Sequence, residues 1–192
     1  EFELGGPLPL VWARLWMSSS SHNGELGSRW HHPLDFALAR LPDGGGWVAR
    51  IEEGRLALFL DPAPDRPALN TVEGLLLKTD GHGHYWITSF AGRDYLFGRE
   101  GENPAAPFER PLAEIRDANG NRIVCQRNKA GHLSAIIDSA GRTLPVSCDN
   151  AGRILTIDGP HPDRDGATVR LASYDYDEAG RLVTARDGRG SA

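Results

Sequence analysis

The sequence predicts an all-β fold, an antiparallel meander of short β-hairpin repeats. Three observations carry this. A turn-forming Asp-x-x-Gly unit recurs from Asp117 onward, with Asn in the Asp position of one copy. Runs of about six residues rich in Ile, Val, Leu and Thr lie between these turns, and that is strand length. Gly and Pro are abundant (23 and 13 of 192 residues), and no segment of ten or more residues shows a convincing helical pattern.

In chain order, residues 1–46 read as irregular. Short strands are predicted at 47–51, 55–60, 75–79, 85–88 and 94–97, separated by Asp43-Gly-Gly-Gly46, Glu53-Gly54, Asp80-Gly81 and Gly92. The prolines of 61–67 exclude a central strand there. Residues 70–77 come nearest to a helix but are too few. The repeats then begin. Their structural turn positions are Asp117 with Gly120, Asn128 with Gly131, Asp138 with Gly141, Asp149 with Gly152, and Tyr176-Asp177 with Gly180; Asp187 to Gly190 fits the same frame. Asp or Asn opens such a turn by bonding the backbone two residues on, and Gly closes it with positive φ. Successive glycines lie 11, 10, 11, 28 and 10 residues apart, too close to admit a helix. The one long gap holds an extended loop at 158–166, with strand resuming at 168–176. All five tryptophans precede residue 112 and none follows it, so the chain divides into a β region at 1–111 and a hairpin array at 112–192.

Bulk chemistry excludes several classes. The net charge is −5, with two lysines and singly placed arginines, which argues against nucleic-acid binding. No apolar run is long enough for a membrane span, and the opening residues lack the character of a signal peptide. Two cysteines are too few for a disulfide scaffold. Cys125 and Cys148 belong to strands separated by another strand, roughly 9.5 Å apart, so both are expected as free thiols on one face of the sheet.

Tyr174-Asp-Tyr-Asp-Glu-Ala-Gly-Arg-Leu182 resembles the YD repeat of Rhs proteins, and the units at Asn128, Asp138 and Asp149 keep its frame. The opening also resembles the segment where Rhs repeat regions begin. The matching parts are Phe2-Glu-Leu-Gly-Gly-Pro-Leu-Pro-Leu-Val-Trp-Ala-Arg14, the serines at 18–21, Gly24-Glu-Leu-Gly27 and Trp30-His-His-Pro-Leu-Asp35. The Tyr is replaced elsewhere, by Arg116, Arg127, Ile137, Cys148 and Arg186, so the array is degenerate. The resemblance implies that these hairpins form part of a hollow β-shell, with this chain at the N-terminal start of its wall. Its implied partners are the remainder of the shell, an enclosed C-terminal toxin domain, and secretion-apparatus or chaperone proteins. Implied too are synthesis in the cytoplasm and secretion or delivery to a target cell, commonly by a type VI secretion apparatus in bacterial competition. On this reading the chain is one part of a larger wall, and its last strand needs a partner for an open edge.

Four groups invite a chemical reading, and each has a plainer one. Trp30-His31-His32-Pro33-Leu34-Asp35 offers a base and an orienting carboxylate, but no nucleophile is marked, because the serines at 18–21 form a run and not a Gly-x-Ser-x-Gly elbow. His82-Gly83-His84 offers two imidazoles without an evident third metal ligand. Arg142, Arg153 and Arg181 follow turn glycines and suit pairing with the turn aspartates. The tryptophans suit core packing, or sugar stacking if they are exposed. The sequence therefore assigns no catalytic, cofactor-binding or metal-binding residue and no cofactor. Substitution of His31 or His32 is expected to alter stability alone. The leading function is encapsulation of a toxin or effector. A surface adhesin or carbohydrate-binding β-repeat module is the alternative, and a hydrolase fragment using His31 or His32 is the third.

Overall fold

The computed structural model describes residues 1–101 and 108–188. The Asp187-to-Gly190 unit therefore extends outside the described residues. The fold is all-β, and its one helical turn among the described residues is a 3-10 turn at Glu52–Gly54. The chain packs as two compact units: Glu1–Pro33 with Ile123–Ala192, and Leu34–Arg122. This division differs from the change of composition at residue 112, because the N-terminal segment packs with the hairpin array.

The N-terminal segment of the first unit holds six very short strands: β1 (Phe2–Leu4), β2 (Leu10–Trp12), β3 (Leu15–Trp16), β4 (Asn23–Gly24), β5 (Gly27–Ser28) and β6 (Trp30–His31). They pair as three separate antiparallel ribbons, β1 with β2, β3 with β6, and β4 with β5. Sequence reading found no strands here, since two or three residues carry no periodicity.

The second unit contains β7 (Ala37–Arg40), β8 (Trp47–Arg50), β9 (Leu56–Phe59), β10 (Ala68–Asn70), β11 (Leu75–Thr79), β12 (Tyr85–Ser89), β13 (Asp94–Phe97) and β14 (Glu109–Arg116). Its strands neighbour one another in the order β9, β8, β7, β14, β13, β12, β11, β10. The eight-residue β14 joins two halves: Glu109, Arg110 and Pro111 pair with β7, and residues 112–116 pair with β13. Leu38, Ala49, Leu77, Ile87 and Leu112, none of them measurably exposed, form the centre of its core.

The first unit resumes with β15 (Arg122–Arg127), β16 (Leu133–Ile137), β17 (Thr143–Cys148), β18 (Ile154–Pro160), β19 (Thr168–Tyr176) and β20 (Leu182–Asp187), each antiparallel to the next in sequence order. The strands alternate, turning Ile123, Cys125, Leu133, Leu144, Val146, Ile154, Ile157, Ala172 and Tyr174 inward. The extended loop expected at 158–166 is shorter. Asp158, Gly159 and Pro160 stay in β18 because they pair with Arg170, Val169 and Thr168, and Arg170 also bonds the Asp158 carboxylate.

The turns share one chemistry. In the Asp138 turn, Oδ1 accepts the amides of Ala140 (3.0 Å) and Arg142 (2.9 Å). The Asp138 carbonyl accepts the Gly141 amide (3.0 Å), and Oδ2 accepts Nε of Arg142 (2.6 Å). Asp149 with Arg153 and Asp177 with Arg181 repeat the side-chain pairing, so each of these arginines closes its own turn. Gly120, Gly131, Gly141, Gly152 and Gly180 stand at φ of 83, 81, 81, 84 and 76°. Both cysteines are free thiols, Cys125 buried and Cys148 half-buried with its Sγ 3.3 Å from the Leu133 carbonyl.

The turn geometry separates two substitutions. A Cβ at Gly141 meets nothing within 4 Å, so Gly141→Ala carries only the left-handed backbone cost, roughly 1–2 kcal/mol. A Cβ at Gly152 lies 2.8 Å from Cδ2 of His132, so Gly152→Ala also displaces that ring. Urea denaturation is expected to show both variants destabilised, Gly152→Ala the more. An unchanged midpoint for Gly141→Ala contradicts the turn account.

Candidate functional site

The densest polar chemistry of the first unit lies where residues 1–33 cross the meander. Strands this short cannot hold the segment by their own ladders, so side chains tie it down. The Ser139 hydroxyl accepts the Leu8 amide (2.9 Å) and donates to the Leu8 carbonyl (2.7 Å). Arg142 reaches the carbonyl of Gly5. Trp12 is completely buried, stacks on His32 at 4.7 Å, and donates its indole N–H to the Tyr174 hydroxyl at 2.7 Å. The Tyr176 hydroxyl donates to the Ile154 carbonyl (2.9 Å), and the Arg153 guanidinium lies over its ring at 4.9 Å.

Glu25 is the electrostatic centre. Its carboxylate pairs with Arg127 through Oε1 and lies 3.1 Å from Nε2 of His32 through Oε2. Its backbone carbonyl accepts the Ile154 amide at 2.7 Å. Burial alone would raise the carboxyl, but the Arg127 charge and the His32 hydrogen bond outweigh it and hold the group at about 2. Close by, Gly27 stands at φ 84°, and a Cβ there would lie 2.9 Å from the Gly180 carbonyl. Only glycine lets the segment approach the turn that begins at Asp177.

The sequence motif Trp30 to Asp35 is divided among different partners. His31 is buried, and its Nε2 lies 2.9 Å from Oγ of Ser20, a hydroxyl the serine run did not mark. That hydroxyl also accepts the His22 amide at 3.1 Å, and the His22 ring stacks on His31 at 5.1 Å. The pair thus lies within a bonded loop. His32 is committed to Glu25. In the second unit Asp35 lies 3.4 Å from Nε of Arg50, which also donates to the Asp35 carbonyl, while the Arg50 guanidinium is bidentate to Glu109 at 3.1 and 3.0 Å.

His82 and His84 are exposed in a turn, not on a strand face. Asp80 accepts the amides of His82 (2.7 Å) and His84 (3.3 Å), and its other oxygen bonds Nδ1 of His84. That bond is the main reason the Asp80 carboxyl falls to about 2. Burial pushes the thiols of Cys125 and Cys148 up to about 12, opposite to an activated nucleophile. Of the tryptophans, Trp12 and Trp47 are buried, Trp30 and Trp86 half-buried, and Trp16 is exposed. No helix among the described residues is long and apolar enough to cross a membrane.

Residues 1–59 match the family described as "Domain of unknown function (DUF6531)". The whole chain is 24% identical to the double-stranded DNA deaminase toxin A of Burkholderia cenocepacia (strain H111), covering 13% of that protein. Over 96% of its length it is 30% identical to the probable deoxyribonuclease RhsB of Dickeya dadantii (strain 3937), covering 12% of it; the probable deoxyribonuclease RhsA of the same strain matches equally. The chain thus spans about an eighth of the length of these relatives. In fold it resembles the N-terminal domain of the effector protein SpvB from Salmonella typhimurium strain LT2, with a TM-score of 0.55 at 14% identity, over 97% of this chain and 98% of that one.

The Glu25 cluster gives a pH signature. Its folded carboxyl titrates at about 2, below the ordinary 4.5. Its contribution is therefore present above pH 4.5 and is lost as the pH falls towards 2, in all roughly 3 kcal/mol. Urea denaturation at pH 5 and pH 3 is expected to show a smaller acid loss in Glu25→Gln than in the wild type, with the variant already weaker at pH 5. Equal acid losses in the two proteins contradict the assignment.

Proposed function

We propose that this chain, 30% identical to Rhs proteins over 96% of its length, is a structural segment of an Rhs shell wall, which encloses and helps deliver a toxin or effector domain carried elsewhere in a longer protein. The observation that carries the reading is the meander β15 to β20. Four of its five hairpins are closed by their own Asp/Asn-x-x-Gly unit, and a longer loop at 161–167 joins β18 to β19, so such a ribbon grows one repeat at a time with little change of construction. Among the described residues β20 pairs only with β19, and its outer row of N–H and C=O groups suits the addition of a following repeat. The deaminase and deoxyribonuclease names of the relatives fit an enclosed toxin, and the chain aligns with only about an eighth of their length.

In this reading the chain performs no reaction of its own. The turn positions from Asp117 to Gly180 act as structural hinges of the ribbon, and the ion pairs and histidines described above hold segments in place. The partners are the rest of the shell, the enclosed domain, and proteins of a type VI or similar secretion apparatus or its chaperones. Delivery into a competing cell is the role that joins them.

Limited proteolysis of a longer Rhs protein that contains this chain tests the proposal. The toxin domain is expected to resist cleavage inside the intact protein, and to be cut much faster when expressed alone or when this chain is deleted. Equal cleavage with and without this chain would overturn the wall assignment.

A further inference from the structure

The ribbon of β3 and β6 places Trp16 directly opposite Trp30. Directly opposed residues have Cβ atoms about 5 Å apart on one face, so the two tryptophans project from the same face of the ribbon. Trp16 is 49% exposed and its neighbour Leu15 39%. Among the described residues Trp16 has no ring partner and no acceptor for its indole N–H. A large aromatic left in water beside another is the kind of surface that marks recognition, whereas the buried Trp12 and Trp47 are spent on the cores.

Two arginines lie close to the pair in the chain. The Arg14 guanidinium lies over the Trp30 ring at 5.6 Å. Arg29, next to Trp30 in sequence, is exposed and stands at φ 65°, one of two non-glycine residues with positive φ among the described residues. Its carbonyl accepts the Met17 amide at 2.9 Å, which fixes the bend. Glycine would hold this conformation without strain, yet an arginine occupies it. One acid, Glu1, lies by Arg14 at 3.7 Å. The rim is therefore net positive on a protein whose net charge is −5.

We propose that Trp16 and Trp30, with Arg14 and Arg29, form a binding platform for an acidic saccharide. The apolar C–H face of a pyranose ring lies on the Trp16 indole, the indole N–H donates to a ring hydroxyl, and the sugar carboxylate meets Arg29. A half-exposed indole offers about half of the roughly 150–250 Å² that an aromatic side chain can bury, which matches one sugar ring and falls well short of the roughly 800 Å² that a stable protein partner buries on each side. A nucleic acid would also stack on tryptophan, but it is held mainly by several successive phosphate contacts, and these segments offer two arginines and no lysine. The inference goes beyond the wall reading and does not depend on it.

Titration of the full chain with tetragalacturonate, followed by tryptophan fluorescence and calorimetry, tests the platform. Saturable binding in the millimolar range or tighter is expected, weakened about tenfold in Trp16→Ala, with neutral maltotetraose bound far more weakly. Arg29→Gly removes the charge while relieving the backbone, so it folds at least as well as the wild type and is still expected to lose affinity several-fold. Absence of saturable binding overturns the proposal. So does undiminished binding by both variants, or equal binding of maltotetraose. Binding to anionic phospholipid vesicles without binding to the saccharide overturns it in favour of a membrane surface.

Discussion

Glu25 lies where the N-terminal segment meets the meander, and the first unit depends on how its charge is satisfied. Removing a carboxylate from water costs several kcal/mol unless partners replace the solvent. Here Arg127 and His32 take one oxygen each, and the same residue's carbonyl caps the Ile154 amide. The residue thus joins β15 and the end of the segment through its side chain and the start of β18 through its backbone. Loss of Arg127 would strand a buried anion, so the two parts of the unit are coupled through one residue. Trp12 and Tyr174 add an apolar contact with a single hydrogen bond at its polar tip, a second anchor of independent chemistry.

The anchoring also accounts for the degenerate repeats. Among the repeats, tyrosines are found only in the Tyr174 to Gly180 unit, and there each has a partner: Trp12 for Tyr174, the Ile154 carbonyl for Tyr176. At the corresponding place before Asn128 stands Arg127, and this departure supplies the cation for Glu25. The turns themselves are insensitive to such exchanges, because the Asp or Asn oxygen and the following glycine close them locally. The repeat frame and the residue before it therefore serve different ends, one closing hairpins and the other receiving the segment.

This division explains what could be read from the sequence. The all-β class and the sequential hairpins were legible because their turns are written in residue types with few conformational options. The strands before residue 47 were not, since ribbons of two or three residues leave no alternation to detect. β14 escaped because Pro111 and its charged residues interrupt any apolar pattern, although β7 and β13 pair along it. Glu25 was visible only as part of Gly24-Glu-Leu-Gly27; its importance comes from residues 7 and 102 positions away. The one available signal was Arg127 in place of tyrosine. The Ser20 hydroxyl near His31 had no marker at all, and the packing of residues 1–33 with the array follows from long-range side-chain bonds that composition does not report.

Segment and meander open as one body held through Glu25. Native-state hydrogen exchange at the Ile154 amide, donor to the Glu25 carbonyl, and at the Leu8 amide, donor to Ser139, measures this directly. Both amides are expected to exchange with the same opening free energy as the slowest amides of β16 and β17. Rapid exchange at Ile154 and Leu8, with β16 and β17 still protected, would show a segment that detaches on its own and would contradict the claim.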